Sequence, residues 1–221
     1  MKLKIVKGWY LPDYDTHFES MIKEVNGEFT YQQSHRDYVV EFVDKFDVAI
    51  DVGANVGFWS KDFCRKFKKV WAFEPVYDIS DCYRRNMATY DNWHLEQVGL
   101  SDKQGENVPL YRGMENSGGG SLVEGFESAS NQVEHIDIKM LDNYINDFDT
   151  VDLIKVDIQG HEYQFLMGAL EFLNKFSPTL SLELPIRTDE EILIKKHCVK
   201  LLEDIGYKEV GKHKKDTVFK K

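Results

Sequence analysis

The chain has 221 residues, 42% of them hydrophobic, enough for one sizeable domain with a full core. Its 38 acidic residues against 28 basic ones give a net charge of −10, so phosphate backbones repel it and nucleic acid is a poor default partner. No run of 18 apolar residues occurs and the opening MKLKIVKGWYLPDY carries no signal-peptide pattern, so no membrane span is expected.

Residues 1–45 read as a helical extension. DTHFESMIKEVNG places Thr16 and Glu19 at capping-box spacing and ends at Asn26-Gly27. SHRDYVVEFVDKF repeats the pattern, with Ser34 and Asp37 able to cap and Val39, Phe42, Val43 and Phe46 on one face. Residues 46–221 then alternate strand and helix. FDVAIDVG (46–53) is a first strand, and Val56, Trp59, Phe63 and Phe67 mark a helix. KVWAFEP (69–75), DISDCYRRNMATY and WHLEQVGLS (93–101) give strand, helix and strand. This rhythm predicts a parallel sheet with crossover helices.

Residues 102–139 break the rhythm. NVPLYRG and NQVEHIDIKM read as strands around the loop ENSGGGS, together an antiparallel excursion or lid. No Gly-Lys-Ser/Thr follows the glycines, so the loop is not a phosphate loop. TVDLIKVDI is then a strand, HEYQFLMGALEFL a helix, PTLSLEL a strand, and DEEILIKKHCVKLLEDIG a helix stopped by Gly206. Two short strands close the chain, and KHKK (212–215) reads as a solvated turn between them. Cys64, Cys82 and Cys198 lie far apart with no CxxC pair, which predicts reduced thiols in a cytoplasmic protein.

IDVGANVG (50–57) carries the first chemical information. Gly53 lets the chain turn tightly off the first strand, Gly57 lets the next helix start close to the sheet, and ligands bind at that edge of a doubly wound fold. The dinucleotide fingerprint fails, because Asn55 and Phe58 stand where its second and third glycines belong. Asp51 sets a carboxylate against phosphate but suits a cationic ligand. S-adenosylmethionine, with a sulfonium, an ammonium group and no phosphate, fits that description. Glu74, before Pro75 at the end of the second strand, can accept both hydroxyls of a ribose. Main chain near VGLSD and Ser101 can border the adenine.

AIDVGANVG (49–57), FEP (73–75), GLSDKQG (99–105), LDNY (141–144), VDLIKVDIQGHEYQFLMGAL (151–170) and LSLEL (180–184) together resemble the FkbM-type methyltransferases. The resemblance runs from about residue 45 to 185, and the fifth stretch is its most specific part. It implies an α/β, Rossmann-like class I methyltransferase sheet, mostly parallel with an antiparallel C-terminal strand and with helices on both faces. It also implies S-adenosylmethionine as cofactor, with S-adenosylhomocysteine as product, held around Asp51, Gly53, Ala54, Asn55, Gly57, Glu74, Pro75, Ser101 and Asp157. The implied reaction is methylation of a hydroxyl on a small molecule or sugar. The family usually has glutamate where this chain has Gln159, so Gln159 is given no acid/base duty.

Such a reaction needs the acceptor aligned and its proton removed. Asp157, at the end of the fourth strand, should face the acceptor. His161 is a candidate base, Glu162 caps the new helix or binds substrate, and Glu183 can reach the same mouth. Asp157, Glu162 and Glu183 are oxygen ligands of the type Mg²⁺ takes, but their spacing is not diagnostic and no metal is assigned. His17 and His35 shape the acceptor pocket or lie at the surface. Two rival readings stand beside this one: a nicotinamide-dependent oxidoreductase and a non-catalytic Rossmann-like binding protein.

Overall fold

The computed structural model describes residues 2–113, 115–125 and 132–221. The N-terminal region is not the helical extension the sequence predicts. Strands β1 (Leu3–Val6) and β2 (Trp9–Pro12) pair as a hairpin, followed by helix α1 (His17–Met21). Strands β3 (Lys23–Val25) and β4 (Glu28–Thr30) form a second hairpin before helix α2 (Gln33–Val40). Asn26-Gly27 has φ values of 52° and 84°, so this pair is a two-residue hairpin turn and not a helix stop. The Thr16 capping box does not form; Asp15 accepts from the Phe18 amide in its place. Nor do Ser34 and Asp37 cap, because α2 begins after Gln32, which is left-handed at φ 55°.

Beyond this region the predicted alternation holds. The next elements are β5 (Val48–Val52), α3 (Phe58–Lys66), β6 (Lys69–Phe73), α4 (Tyr77–Asn86) and β7 (Trp93–Glu96). A small second sheet follows, with β10 (Val133–Lys139) between β8 (Gly99–Leu100) and β9 (Gly105–Tyr111). The β9–β10 pair is antiparallel, as expected for the excursion. Asn131, where the sequence begins its last strand of this region, lies outside the described residues.

The chain then forms β11 (Leu153–Val156), α5 (Glu162–Met167), α6 (Leu170–Phe176), β12 (Thr179–Glu183), α7 (Asp189–Asp204), β13 (Lys208–His213) and β14 (Asp216–Lys220). The single helix expected over HEYQFLMGALEFL is two, broken around Gly168. A Cβ at Gly168 would lie 1.9 Å from the Ser101 carbonyl oxygen, so only glycine lets these backbones meet.

The main sheet has the order β13-β14-β12-β11-β5-β6-β7, and β14 alone runs against its neighbours. Alternate residues feed two cores on opposite faces. Ile50, Val52, Ile154 and Leu182 pack with Phe165, Phe172, Cys198 and Leu202 from α5, α6 and α7. Ala49, Val70 and Leu153 pack with Trp59, Phe63 and Tyr83 from α3 and α4, and Phe42 and Phe46 pack against the same cluster. A third cluster joins Trp9, Leu11, Phe18 and Ile22 to Val56, Phe58, Val76 and Ile79, docking the N-terminal hairpins beside the sheet edge.

Register positions the site. Val52 is aligned with Val156 and with Phe73, and Val156 with Leu182. The residues just beyond these, Gly53, Glu74, Asp157 and Glu183, therefore emerge together at one carboxyl edge.

Candidate active site

A cavity of about 300 Å³ opens at that edge. The turn after β5 forms its floor. Gly53 has φ 71°, and a Cβ there would lie 2.0 Å from the Asp157 carbonyl oxygen, so the turn and the end of β11 touch backbone to backbone. Gly53 and Ala54 donate their amides to the Phe73 carbonyl at 3.0 and 3.1 Å. Asn55 is left-handed at φ 50° and caps the Val56 amide with its own side chain. Gly57 precedes α3 and packs against Tyr83 of α4 and Met87 just after it, so its close neighbour is a helix and not the sheet.

Glu74 is buried on the cavity wall, accepting one amide on each carboxylate oxygen, from Asn55 and Val76, both at 3.0 Å. Burial pushes its carboxyl up to about 7, against the pull of those two amides. Pro75, Ile79, Val98, Leu110 and Ile136 make the adjoining wall apolar. A buried acceptor of hydroxyl groups beside an apolar slot, with no cation among the residues of that wall, suits a nucleoside and not a phosphate. The donor set thus fits adenosylmethionine.

Asp51 has a different place from the one its sequence position suggests. It is fully buried and does not line the cavity. Its carboxylate accepts from Ser60 Oγ at 2.6 Å and lies 3.2 Å from Lys155 Nζ. The charge expected to meet a cationic ligand is balanced inside the protein. Lys155, overlooked in the sequence reading, also donates to the Gly53 carbonyl at 3.0 Å and lines the cavity. A lysine in the middle of an all-buried strand was the available signal, because a buried cation requires a partner.

The opposite end of the cavity is polar. Gln159, left-handed at φ 52°, donates its amide to Asp157 Oδ1 at 2.6 Å and to Glu183 Oε2 at 2.9 Å. The two carboxyl groups thus share one amide as their common donor. Burial and the neighbouring Asp157 hold the Glu183 carboxyl well above its ordinary range. Burial acts on Asp157 in the same direction, but Lys155, Glu183, Lys215 and Gln159 together outweigh it and leave that carboxyl below its ordinary value. Lys215 pairs with Glu183 Oε1. Only Lys214 and Lys215 of KHKK form the turn, because Lys212 and His213 belong to β13, and Lys215 points into the site, an inward direction that a hydrophilic turn does not reveal. Tyr31 completes this end; burial, then Asp157, pushes its hydroxyl up to about 12.

His161 and Glu162 are placed less favourably for proton removal. His161 precedes α5, with Nε2 2.9 Å from Ser101 Oγ, while Nδ1 is buried without a partner among the described residues. Burial pushes this imidazole down to about 4. Glu162 faces away from the cavity. Its carboxylate accepts from the Ile158 and Gly160 amides at 3.2 and 3.1 Å, the capping alternative raised by the sequence. Ser101 is buried beside His161 and does not line the cavity, although Gly99 and Leu100 do. His17 lines the cavity, whereas His35 pairs with Asp216 elsewhere. No group of three or more His, Cys, Asp or Glu side chains is placed to hold a metal among the described residues. Cys64, Cys82 and Cys198 are free and buried. No helix among those residues is long and apolar enough to cross a membrane.

Residues 51–208 match the methyltransferase FkbM domain. The chain belongs to the FkbM methyltransferase family. A curated relative is methyltransferase sdnD of Sordaria araneosa, 25% identical over 222 aligned positions that cover 84% of each chain. A crystal structure of an FkbM methyltransferase from Methylobacillus flagellatus superposes with a TM-score of 0.55 at 17% identity. That match covers 80% of this chain but only 44% of the Methylobacillus chain. A putative methyltransferase from Streptococcus mutans, in complex with S-adenosylhomocysteine, gives a TM-score of 0.51 at 12% identity over 85% of this chain and 94% of its own. The protein is therefore a methyltransferase with the fold of the adenosylmethionine-dependent class, and the oxidoreductase reading is set aside.

Proposed function

We propose that the protein transfers a methyl group from S-adenosylmethionine to a hydroxyl group of a small molecule or sugar. The observation that carries this reading is the carboxyl pair Asp157–Glu183, bridged by Gln159 and flanked by Lys155 and Lys215, at the end of the cavity opposite the apolar wall. When bound, the cofactor supplies a methyl group activated by its sulfonium. Glu74 accepts hydrogen bonds from the ribose, and Ile79, Val98, Leu110 and Ile136 exclude water around the base. The turn from Gly53 to Asn55 supports the middle of the ligand. Asp157 and Glu183 orient the acceptor hydroxyl and take up its proton, a step worth roughly 10²–10⁴ in rate when a side chain is well placed. Aromatic rings of Phe18, Tyr31 and Trp59 on the same cavity offer faces for the acceptor's carbon skeleton. The net charge of −10 disfavours a nucleic-acid acceptor.

The test is a transfer assay with methyl-labelled cofactor against a panel of sugars and small hydroxy compounds, with the product's new bond identified by mass spectrometry and NMR. A methyl ether is expected. Methylation at nitrogen, sulfur or carbon would overturn the reading. Asp157→Asn should lower turnover by roughly 10²-fold or more while S-adenosylhomocysteine still binds.

A further inference from the structure

Two parts of the polar end of the cavity come from outside the stretch that defines the family. Residues 51–208 carry the family match, yet Tyr31 precedes that stretch and Lys215 follows it. Lys215 is not there by accident of a flexible side chain. Antiparallel pairing aligns Glu183 of β12 with Asp216 of β14, and the Leu184 amide donates to the Lys215 carbonyl at 2.8 Å. The backbone next to Glu183 is thereby fixed beside the backbone of Lys215. Glu183 then has both oxygens engaged, Oε1 by Lys215 and Oε2 by Gln159.

Resting on the reading of Asp157 and Glu183 as the proton-accepting pair, we propose that Lys215 is the positioning residue of that pair: its ammonium group holds the Glu183 carboxyl in place and supplies the charge that lets the pair release its shared proton. Two buried carboxyl groups drawn to one amide resist double ionisation, because like charges held that close repel. A cation on each side relieves the repulsion. Lys155, on β11, serves the Asp157 side, although its charge is shared with Asp51 of β5. Lys215, on the turn between β13 and β14, serves the Glu183 side. The remaining groups facing the pair are the neutral Gln159 amide and the Tyr31 hydroxyl, which burial keeps protonated at neutral pH. Arg187 lines the same cavity, and its guanidinium pairs with Glu191 at 2.5 Å. Among the described residues, Lys215 is therefore the lysine whose carboxylate partner is a member of the pair.

The experiment is a titration and needs no acceptor. Protein labelled with ¹³C at aspartate and glutamate carboxyls is followed by NMR from pH 4 to 9, with the Glu183 signal assigned through Glu183→Gln. In Lys215→Met the Glu183 midpoint should rise by about one unit or more, whereas Lys215→Arg should keep the native midpoint. Because the lysine side chain is 42% exposed, high salt should move the native midpoint part of the way towards that of Lys215→Met. An unchanged midpoint in Lys215→Met would overturn the proposal. If the midpoint shifts but Asp157→Asn keeps full methyl transfer to the panel acceptors, the role of Lys215 stands and the catalytic reading of the pair falls.

Discussion

Lys155 Nζ lies 3.2 Å from Asp51 Oδ1 and 3.0 Å from the Gly53 carbonyl oxygen, joining the middle of β11 to the end of β5. Burial would push this ammonium group down, but Asp51 and Asp157 outweigh it and raise it above the ordinary lysine value. Breaking such a pair on one side leaves an uncompensated buried charge. Lys155→Met should therefore cost about 3–5 kcal/mol in unfolding free energy, measured in urea. Adding Asp51→Asn should recover a large part of that loss. A double variant no more stable than the single one would show that the two residues do not act as a pair.

Gly53→Ala confronts backbone with backbone, since the new Cβ would meet the Asp157 carbonyl oxygen at 2.0 Å. The expected result is at least a tenfold loss of S-adenosylhomocysteine affinity by calorimetry, with a lowered melting temperature. Gly57→Ala meets side-chain atoms of Tyr83 and Met87 at 3.2 and 3.3 Å and should be milder. Equal effects from the two substitutions would contradict this contrast.

His161→Asn should keep turnover within about tenfold, because the ring has Nε2 bonded to Ser101, Nδ1 closed off, and a proton affinity already lowered to about 4. For the same reason the native rate profile should show no step from this residue near pH 6.5. A hundredfold loss at saturating acceptor would return His161 to the role of base.

As the proposed ribose acceptor, Glu74 should give cofactor affinity a pH dependence. With its carboxyl near 7 in the empty site, the accepting form is scarce below that value and dominant above it. Affinity for S-adenosylhomocysteine should be about tenfold weaker at pH 6 than at pH 8, and Glu74→Gln should bind weakly and without that slope. A flat native profile would count against Glu74 as the ribose acceptor.

Glu162, which caps the turn before α5, should bear on stability and not on turnover. Burial raises its carboxyl from the ordinary glutamate value of 4.5 to about 7, so the folded state binds a proton that the unfolded state has released. This contribution is present below about pH 4.5 and is lost as pH rises through 7, amounting to roughly 3 kcal/mol. Glu162→Gln should remove that slope from the difference between the two unfolding curves. Identical pH dependence in both proteins would refute the account.

The parallel sheet was legible because apolar runs ending in Gly53, Glu74, Asp157 and Glu183 recur at crossover spacing, and burial on both faces enforces that pattern. The N-terminal hairpins were obscured because apolar residues at helical spacing, Phe18 and Ile22, pack across a helix-to-strand boundary into one cluster. Asn26-Gly27 was the signal to follow. Asp157 and Glu74 could be placed from their positions at strand ends alone. The partners of Asp51 and Glu183 could not, since Lys155 and Lys215 reach them through side-chain direction and strand register, neither of which is written in local composition.

Tyr31 and Lys215 face one cavity from opposite flanks of the family-matched core. The wall proposed to meet the acceptor thus draws on segments before and after that core as well as on Asp157 and Glu183 within it, while the Gly53 turn and Glu74 lie in the core itself. Detaching either flank would remove a polar group from this chamber, and detaching the N-terminal one would also strip Phe18 and Ile22 from the cluster that backs Ile79, Leu110 and Ile136. Docking of the flanks and completion of the reaction chamber would then be the same event.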